Sequence, residues 1–364
     1  MTDLQMLWLD DNMLSGDATY MTFDNMPFLQ ALFLEKNDFE GTIDESFLAK
    51  NKFLMEADLS NNDFTGSMPA HLLDFEMHPV LQMLDLHNNR LSGELPSNVT
   101  HEGLMFLSLY GNSIEGKVPE SWNNLSGLYH LDLSSNYLDG PMPEVLGNLT
   151  ALSYLFLANN TFEPGPIPES YAQIESLQEL SLKRTMRTGP LPEWLSGLTN
   201  LTLLDLDQND FTGPIPASYG NLVNLEFLLL NRNNLAGEVP PSFSQLTNLR
   251  ALFLERNSLQ GQINFLCEMA NFNETPGDLD GTEIIAADCL GGLEALIQCT
   301  CCQICCVPAF VGQTEAEGLD DEETCHDATF IANLNPIWEN VYERYSYDFG
   351  NATRFIDRDF LNNN

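Results

Sequence analysis

Cysteine and histidine are the side chains here best able to do chemistry, and the cysteines are unevenly placed. All eight lie in one stretch, at Cys267, Cys289, Cys299, Cys301, Cys302, Cys305, Cys306 and Cys325. An even number in a tight cluster points to a disulfide framework closed in an oxidising compartment. Pairing of Cys267 with Cys289 is expected for part of it. Eight cysteines allow about 105 connectivities, so the rest stays open. The run Cys299-x-Cys301-Cys302-x-x-Cys305-Cys306 is dense enough for zinc or copper thiolates. Its spacing is not that of a zinc finger, however, and no second paired set exists, so no metal is expected. The six histidines are scattered. No nucleophile–base constellation, phosphate-binding glycine loop or paired acid/base motif is visible, so neither catalysis nor a cofactor is expected.

Charge narrows the partners. The chain of 364 residues carries 14 Lys and Arg against 53 Asp and Glu, a formal net charge of -39. Nucleic acid and anionic membrane both require a cationic face, so both are disfavoured. No apolar run reaches the roughly 18 residues that a membrane span needs. Asn-x-Ser/Thr sequons occur at Asn98, Asn124, Asn148, Asn159, Asn200, Asn273 and Asn351. In an exported chain these are candidate glycan sites. Asn124, Asn148 and Asn200 fall in the Asn-Leu-Ser and Asn-Leu-Thr segments of a repeat and can equally be by-products of it.

That repeat has a period of about 24 residues and sets the frame for every other residue. Its copies start at Leu4, Leu29, Leu54, Leu81, Leu104, Leu128, Leu152, Leu177, Leu201, Leu225 and Leu249, here numbered as coils one to eleven. The ninth reads Leu201, Leu204, Leu206, Asn209, Phe211, Gly213, Ile215, Pro216. The Leu-x-Leu pair alternates as a short strand requires, with its leucines stacking inward on the next coil. The asparagine offers donor and acceptor from one side chain and suits a hydrogen-bonded ladder between coils. The glycine permits a turn that a Cβ would hinder. Proline favours an extended residue before it and ends the pairing. One copy cannot bury its own face, so stability belongs to the array.

This pattern resembles the plant-specific class of leucine-rich repeats, Leu-x-x-Leu-x-Leu-x-x-Asn-x-Leu-x-Gly-x-Ile-Pro, over about residues 4 to 263. The resemblance implies a right-handed solenoid with a parallel β-sheet on its concave face. Short strands, 3-10 turns or helices would lie on the convex face. Ten strand spacings make a stack about 48 Å long. Three departures stand out. Coil three is long and contains Pro79; coil seven has an extra residue around Glu163-Pro164-Gly165; coil eight replaces its asparagine by Thr185 and puts Arg187 at a core position. A local bulge is expected near residues 183–188. A start directly on a repeat, without a cap or export signal, is expected of an N-terminally truncated chain.

On such a solenoid the outward strand positions form columns that are expected to face solvent. The aromatic patch Phe106, Tyr110, His130, Tyr154 and Phe156 falls on coils five to seven and is a candidate ligand-binding surface. The basic residues Lys183, Arg184, Arg232 and Arg256, with Arg187 nearby, form a second candidate that could hold a carboxylate, sulfate or phosphate. Their alternative role is neutralisation of Asp207 and Glu255 in the adjacent column. Asp58 and Asp85 sit on consecutive coils, yet two acids fall short of the six to eight oxygens that calcium takes.

The repeat stops after Ile263. Residues 264–327 are expected to form a disulfide-rich cap over the last coil, and residues 328–364 an acidic, aromatic tail with Trp338, Tyr342, Tyr345 and Tyr347. Asp288-Cys289, a short acidic spacer and the Cys-rich run resemble the ends of diatom leucine-rich-repeat proteins, many of them receptor-like or secreted. The resemblance implies an extracellular or cell-surface recognition module that binds a protein, peptide or glycan on the concave face. Two alternatives are a secreted inhibitor of a foreign hydrolase, by analogy with polygalacturonase-inhibiting solenoids, and a structural wall glycoprotein. The oligomeric state is not legible in the sequence.

Overall fold

The computed structural model describes residues 2–21, 23–269, 284–288, 297–299, 302 and 304–305. The Leu-x-Leu segments form the short strands that their alternation requires. They run from Met6–Trp8 through Leu203–Asp205 to Ala251–Phe253 and pair in parallel, each with the next coil, in unshifted register. Leu180, Leu204 and Leu228, for example, stand opposite one another and are fully buried. The sheet does not end at residue 263. Ile284–Ala287 pairs with Ala251–Phe253, and Ile304–Cys305 pairs in turn with Ile284–Ala287, giving thirteen strands.

Asparagine holds the coils together as its chemistry suggests. Asn209 Nδ2 donates to the carbonyl of Leu206 in its own coil at 3.1 Å and to that of Leu182 in the preceding coil at 2.8 Å. Its Oδ1 accepts from the backbone of Thr185 and Arg187 at 3.1 and 2.9 Å. Asn233 repeats the pattern one coil on. Beyond the array Asp288 continues the acceptor half of the ladder: its carboxylate takes the amide hydrogens of Arg256 and Asn257 at 2.9 and 3.0 Å. An aspartate can do this because only acceptors are needed there.

The residue before the asparagine turns the chain out of the strand. It has positive φ in every coil, from Asp11 at 53° to Arg256 at 58°, with Gly111 in coil five at 67°. Opposite the sheet the chain runs through 3-10 helices such as Glu120–Asn124, Glu144–Asn148 and Ala217–Asn221, each entered from an extended proline. Proline suits that place because the first turn has no partner for an amide hydrogen. Between sheet and helices lie convex strands in two separate sheets, one from Ser15–Asp17 to Tyr137–Leu138 and one from Thr188–Pro190 to Ile297–Gln298. At Gly66, on a convex strand, φ is +97° and an added Cβ would stand 2.4 Å from the Ile43 carbonyl oxygen.

The convex sheet breaks where the sequence departs from its pattern. Coil seven has no strand on this side among the described residues: it makes the isolated bridge between Gly165 and Arg187, and the amides of Thr161 and Glu163 donate to the Leu138 and Gly140 carbonyls of coil six at 2.9 and 2.6 Å. Met186 has positive φ two residues after the turn that every coil makes, so coil eight carries the irregular turn expected near residues 183–188. Arg187 is 1% exposed, at the point where Phe162 and Phe211 fill the flanking coils. Its Nε donates to the Thr185 carbonyl at 3.0 Å and Nη1 to the Pro166 carbonyl at 3.1 Å, and Nη2 donates to the Glu163 carbonyl. The extra residue of coil seven thus supplies the carbonyls that let coil eight bury a cation.

Candidate ligand-binding face

Strand register fixes where the candidate residues lie. Phe106, His130 and Tyr154 stand opposite one another on coils five, six and seven, and Ser108, Asp132 and Phe156 form the adjacent column. A parallel ladder spaces such residues by about 4.8 Å, which is also stacking distance for rings. Phe106 and His130 stack with centroids 4.4 Å apart and planes at 12°. His130 contacts Tyr154 and Phe156, both at 5.7 Å. Tyr110 lies further out, 6.4 Å from the His87 ring. The structure therefore brings Phe106, His130, Tyr154 and Phe156 together, with Tyr110 against His87 on the coil-four side.

The expectation that these columns face solvent is overturned. Phe106 is 3% exposed, His130 1%, Tyr154 8% and Phe156 2%. Rings one strand spacing apart cover one another, so a position that points away from the core still loses its water. Tyr110 is half-buried. Tyr129 adds an edge-on contact to Tyr154 at 5.2 Å, and Gln178 accepts from the Tyr154 hydroxyl at 3.2 Å. Neither residue was legible as part of the patch, because both precede the strand columns.

Burial reshapes the electrostatics of the floor. It pushes the His130 imidazole down to about 3, so this ring is neutral and acts as an aromatic. His87 differs. Burial would lower it, but the charge of Asp85 and the 2.7 Å contact with its carboxylate raise it to about 9. Its Nδ1 faces the Asp85 carboxylate, and its Nε2 lies 2.9 Å from Asn61 Nδ2. Burial, then the charge of Asp85, raises Asp58 to about 7, and burial raises Asp132 to about 6.

The basic candidates lie on the last four full coils. Lys183 Nζ and Arg232 Nη1 reach the same Asp207 oxygen at 3.4 and 3.5 Å. Arg184, Arg232 and Arg256 occupy the left-handed turn position of coils eight, ten and eleven, and Gln208 occupies it in coil nine. All four line one cleft of about 580 Å³ with Met186, Asn209 and Asp210. The place of Gln208 was legible in principle, since it too precedes the asparagine of its coil. Burial raises the Glu255 carboxyl to about 8, against the Arg232 charge, which lowers it.

Of the cysteines, Cys299 and Cys302 form a disulfide, with Cα atoms 5.7 Å apart. Cys267 is disulfide-bonded, but Cys289 lies outside the described residues, as do Cys301, Cys306 and Cys325, and the expected pairing of the first two is untested. Cys305 lies on the last strand. Asn98, Asn124, Asn148, Asn159 and Asn200 are exposed, whereas Asn273 and Asn351 lie outside the described residues. Among the described residues no helix is long and apolar enough to cross a membrane.

Family models described as leucine-rich repeat match residues 80–101, 102–162, 200–222 and 224–246. No curated protein matches by sequence. Solved structures do match. The ectodomain of the Arabidopsis receptor kinase HAESA, in complex with an extended IDA peptide hormone, is 30% identical with TM-score 0.67 over 77% of this chain and 45% of that one. The ectodomain of the Arabidopsis receptor kinase GASSHO1/SCHENGEN3, in complex with CASPARIAN STRIP INTEGRITY FACTOR 2, is 32% identical with TM-score 0.65 over 74% and 35%. A leucine-rich-repeat protein of Leptospira interrogans, 23% identical with TM-score 0.56 over 82% and 74%, shares the fold. The chain spans less than half the length of the receptor chains it matches.

Proposed function

We propose that this chain is the ligand-recognition solenoid of an extracellular receptor-like protein or a secreted relative, and that it takes an extended peptide along the concave face of coils five to seven. The observation that carries this reading is the ring cluster of Phe106, His130, Tyr154 and Phe156, with Tyr110 beside it, on the outward side of a continuous parallel sheet. The half-buried Tyr110 offers contact area at little entropic cost, and the buried rings beside it keep that part of the face rigid. The negative chain and the carboxylates of Asp85 and Asp132 favour a basic or neutral ligand. The likeness to ectodomains solved with peptide hormones supports the same class of ligand.

A phage-displayed library of random linear peptides, panned against the full chain, tests the reading. Enriched peptides should be neutral or basic. Tyr110→Ala and His130→Asn should weaken their binding about tenfold, a loss of about 1.4 kcal/mol, while Val223→Ala on the convex side leaves it unchanged. The reading fails if nothing enriches, or if the enriched peptides ignore both changes.

A further inference from the structure

Serine and aspartate meet twice on the concave sheet, with opposite outcomes. In coils eight and nine Ser181 stands opposite Asp205, and its Oγ donates to Asp205 Oδ2 at 3.0 Å. In coils four to six Ser108 stands between Asp85 and Asp132, one strand spacing from each. Its hydroxyl is fully buried and bonds to neither. A buried hydroxyl without a partner is destabilising and is an exception in native proteins. The side chains around Ser108 are longer than its own: Asp85 and Asp132 along the column, Phe106 and Tyr110 on the same face of its own coil. Ser108 is thus the floor of a dip walled on two sides by carboxylates.

The walls are acidic beyond what their neighbours answer. Asp58, Asp85 and Asp132 each give Oδ1 to an amide hydrogen of their own coil, from Ser60, His87 and Ser134 at 3.0, 3.0 and 2.8 Å. Asp85 also takes His87 Nδ1, whereas Asp58 and Asp132 have no salt bridge among the described residues. The other titratable groups on this side of coils two to seven are Glu35, Lys36, Glu56, Tyr110, His130 and Tyr154. Lys36 sits beside Glu35 on coil two, and Glu56 adds a further acid on coil three. Among the described residues no acidic, histidine or cysteine groups converge as a metal ion requires. Asp85 and Asp132 stand two strand spacings apart, about 9.6 Å. A point cation reaches one of them at the roughly 2.8 Å of a charge-assisted hydrogen bond, whereas a planar guanidinium, with N–H donors along its edges, reaches both.

We propose that the dip over Ser108, between Asp85 and Asp132, is a pocket for the guanidinium group of an arginine side chain in the ligand. One edge of the group donates to each carboxylate, and the Ser108 hydroxyl accepts from beneath. Tyr110, half-buried on the same coil, turns aside to admit the group and then lies along its face, where a cation gains from the ring. Burial raises the Asp58 carboxyl to about 7 and that of Asp132 to about 6. Both hold a cation only when ionised, so affinity falls as pH drops through that range. The arginine belongs to the extended peptide proposed above, so its carrier rests on that reading; the pocket itself does not.

Nα-acetyl-arginine amide, titrated into the full chain at constant ionic strength and followed by ligand-observed NMR, is the probe. Saturable binding is expected at pH 8, tighter than that of the lysine analogue and about tenfold tighter than that of the uncharged citrulline analogue. At pH 5, where Asp132 keeps its proton, it should be about tenfold weaker. Asp132→Asn, which keeps an oxygen for the Ser134 amide, and Ser108→Ala should each weaken binding at pH 8. Asp205→Asn, at the same strand position on coil nine, should not. Should Asp132→Asn misfold, Ser108→Ala gives the same test, since it removes no hydrogen bond among the described residues and should not lower the Tm of the free chain. No saturation, equal binding of the lysine or citrulline analogue, or binding indifferent to pH or to both variants overturns the pocket. Binding of the arginine derivative without enriched peptides would remove the peptide reading and keep the pocket. Enriched peptides that lack arginine, with no binding of the derivative, would remove the pocket alone.

Discussion

Arg187 donates a hydrogen bond from Nη1 to the carbonyl oxygen of Pro166, 3.1 Å away in the preceding coil. With the bonds to Thr185 and Glu163 it forms a buried clasp between the two irregular repeats. Arg187→Ala should destabilise the chain by about 3 kcal/mol, because it leaves three carbonyls without their donor and opens a cavity. Arg187→Lys should recover only part of this, since one ammonium cannot reach three carbonyls in a plane. Urea unfolding of the three proteins measures it, and an unchanged midpoint for the alanine variant would refute the clasp.

Glu255 predicts a pH dependence of one sign. Its folded value, raised by burial to about 8, lies above the ordinary 4.5. The folded chain therefore keeps a proton that the unfolded chain gives up. That stabilisation is complete below about pH 4.5 and is lost as pH rises through 8. Glu255→Gln, permanently uncharged, should match the parent near pH 4. At pH 9 it should be the more stable by on the order of 4 kcal/mol, a gain of several degrees in Tm. Parallel melting curves that never diverge would rule this out.

His78 predicts the opposite slope. Burial, and then the charge of His71, lowers it to about 4 from the ordinary 6.5. The unfolded chain takes up the proton first, so stability falls as pH drops from 6.5 toward 4. Against His78→Gln the parent should lose on the order of 2 kcal/mol between pH 7.5 and 4.5. The buried carboxylates are common to both proteins and cancel in the comparison.

Glycan occupancy should divide the exposed sequons. The amide nitrogens of Asn124 and Asn200 donate to the carbonyls of Val99 and Glu175 in the preceding coil, at 2.8 and 2.9 Å. Asn224 and Asn248, which are not sequons, make the Asn200 bond at the same place in their coils. That bond belongs to the repeat. In a chain expressed through a eukaryotic secretory pathway, Asn98 and Asn148 should be occupied more fully than Asn124 and Asn200. Glycopeptide mass spectrometry decides this, and equal occupancy at all four would show that the amide bond has no influence.

The repeating part of the fold was legible because every coil must satisfy the same demands. Inward leucines, the asparagine ladder and the glycine turn each follow from one position, so Leu204, Asn209 and Gly213 speak for all their counterparts. What escaped depended on neighbours. Phe106 and His130 are ordinary outward residues one at a time, and only the strand spacing makes them bury each other. Asp288 was read as part of a cap, since an aspartate at the place of an asparagine breaks the pattern while still serving its acceptor role. Arg187 was recognised as irregular, but its partners are backbone carbonyls, which no side-chain pattern reveals.

The two sides of the solenoid also differ in continuity. The inner sheet is unbroken across thirteen strands, whereas the outer strands are divided at coil seven. In a stack where each coil contacts only its neighbours, cooperativity is set by the weakest link between them. The outer strands thus form two blocks, one ending at coil six and one beginning at coil eight, and coil seven links them through the inner sheet, the amides of Thr161 and Glu163 on the carbonyls of Leu138 and Gly140, and the Arg187 clasp. The ring cluster ends on coil seven and the basic residues begin on coil eight, so a ligand long enough to touch both would cross the one place where the outer pairing changes hands.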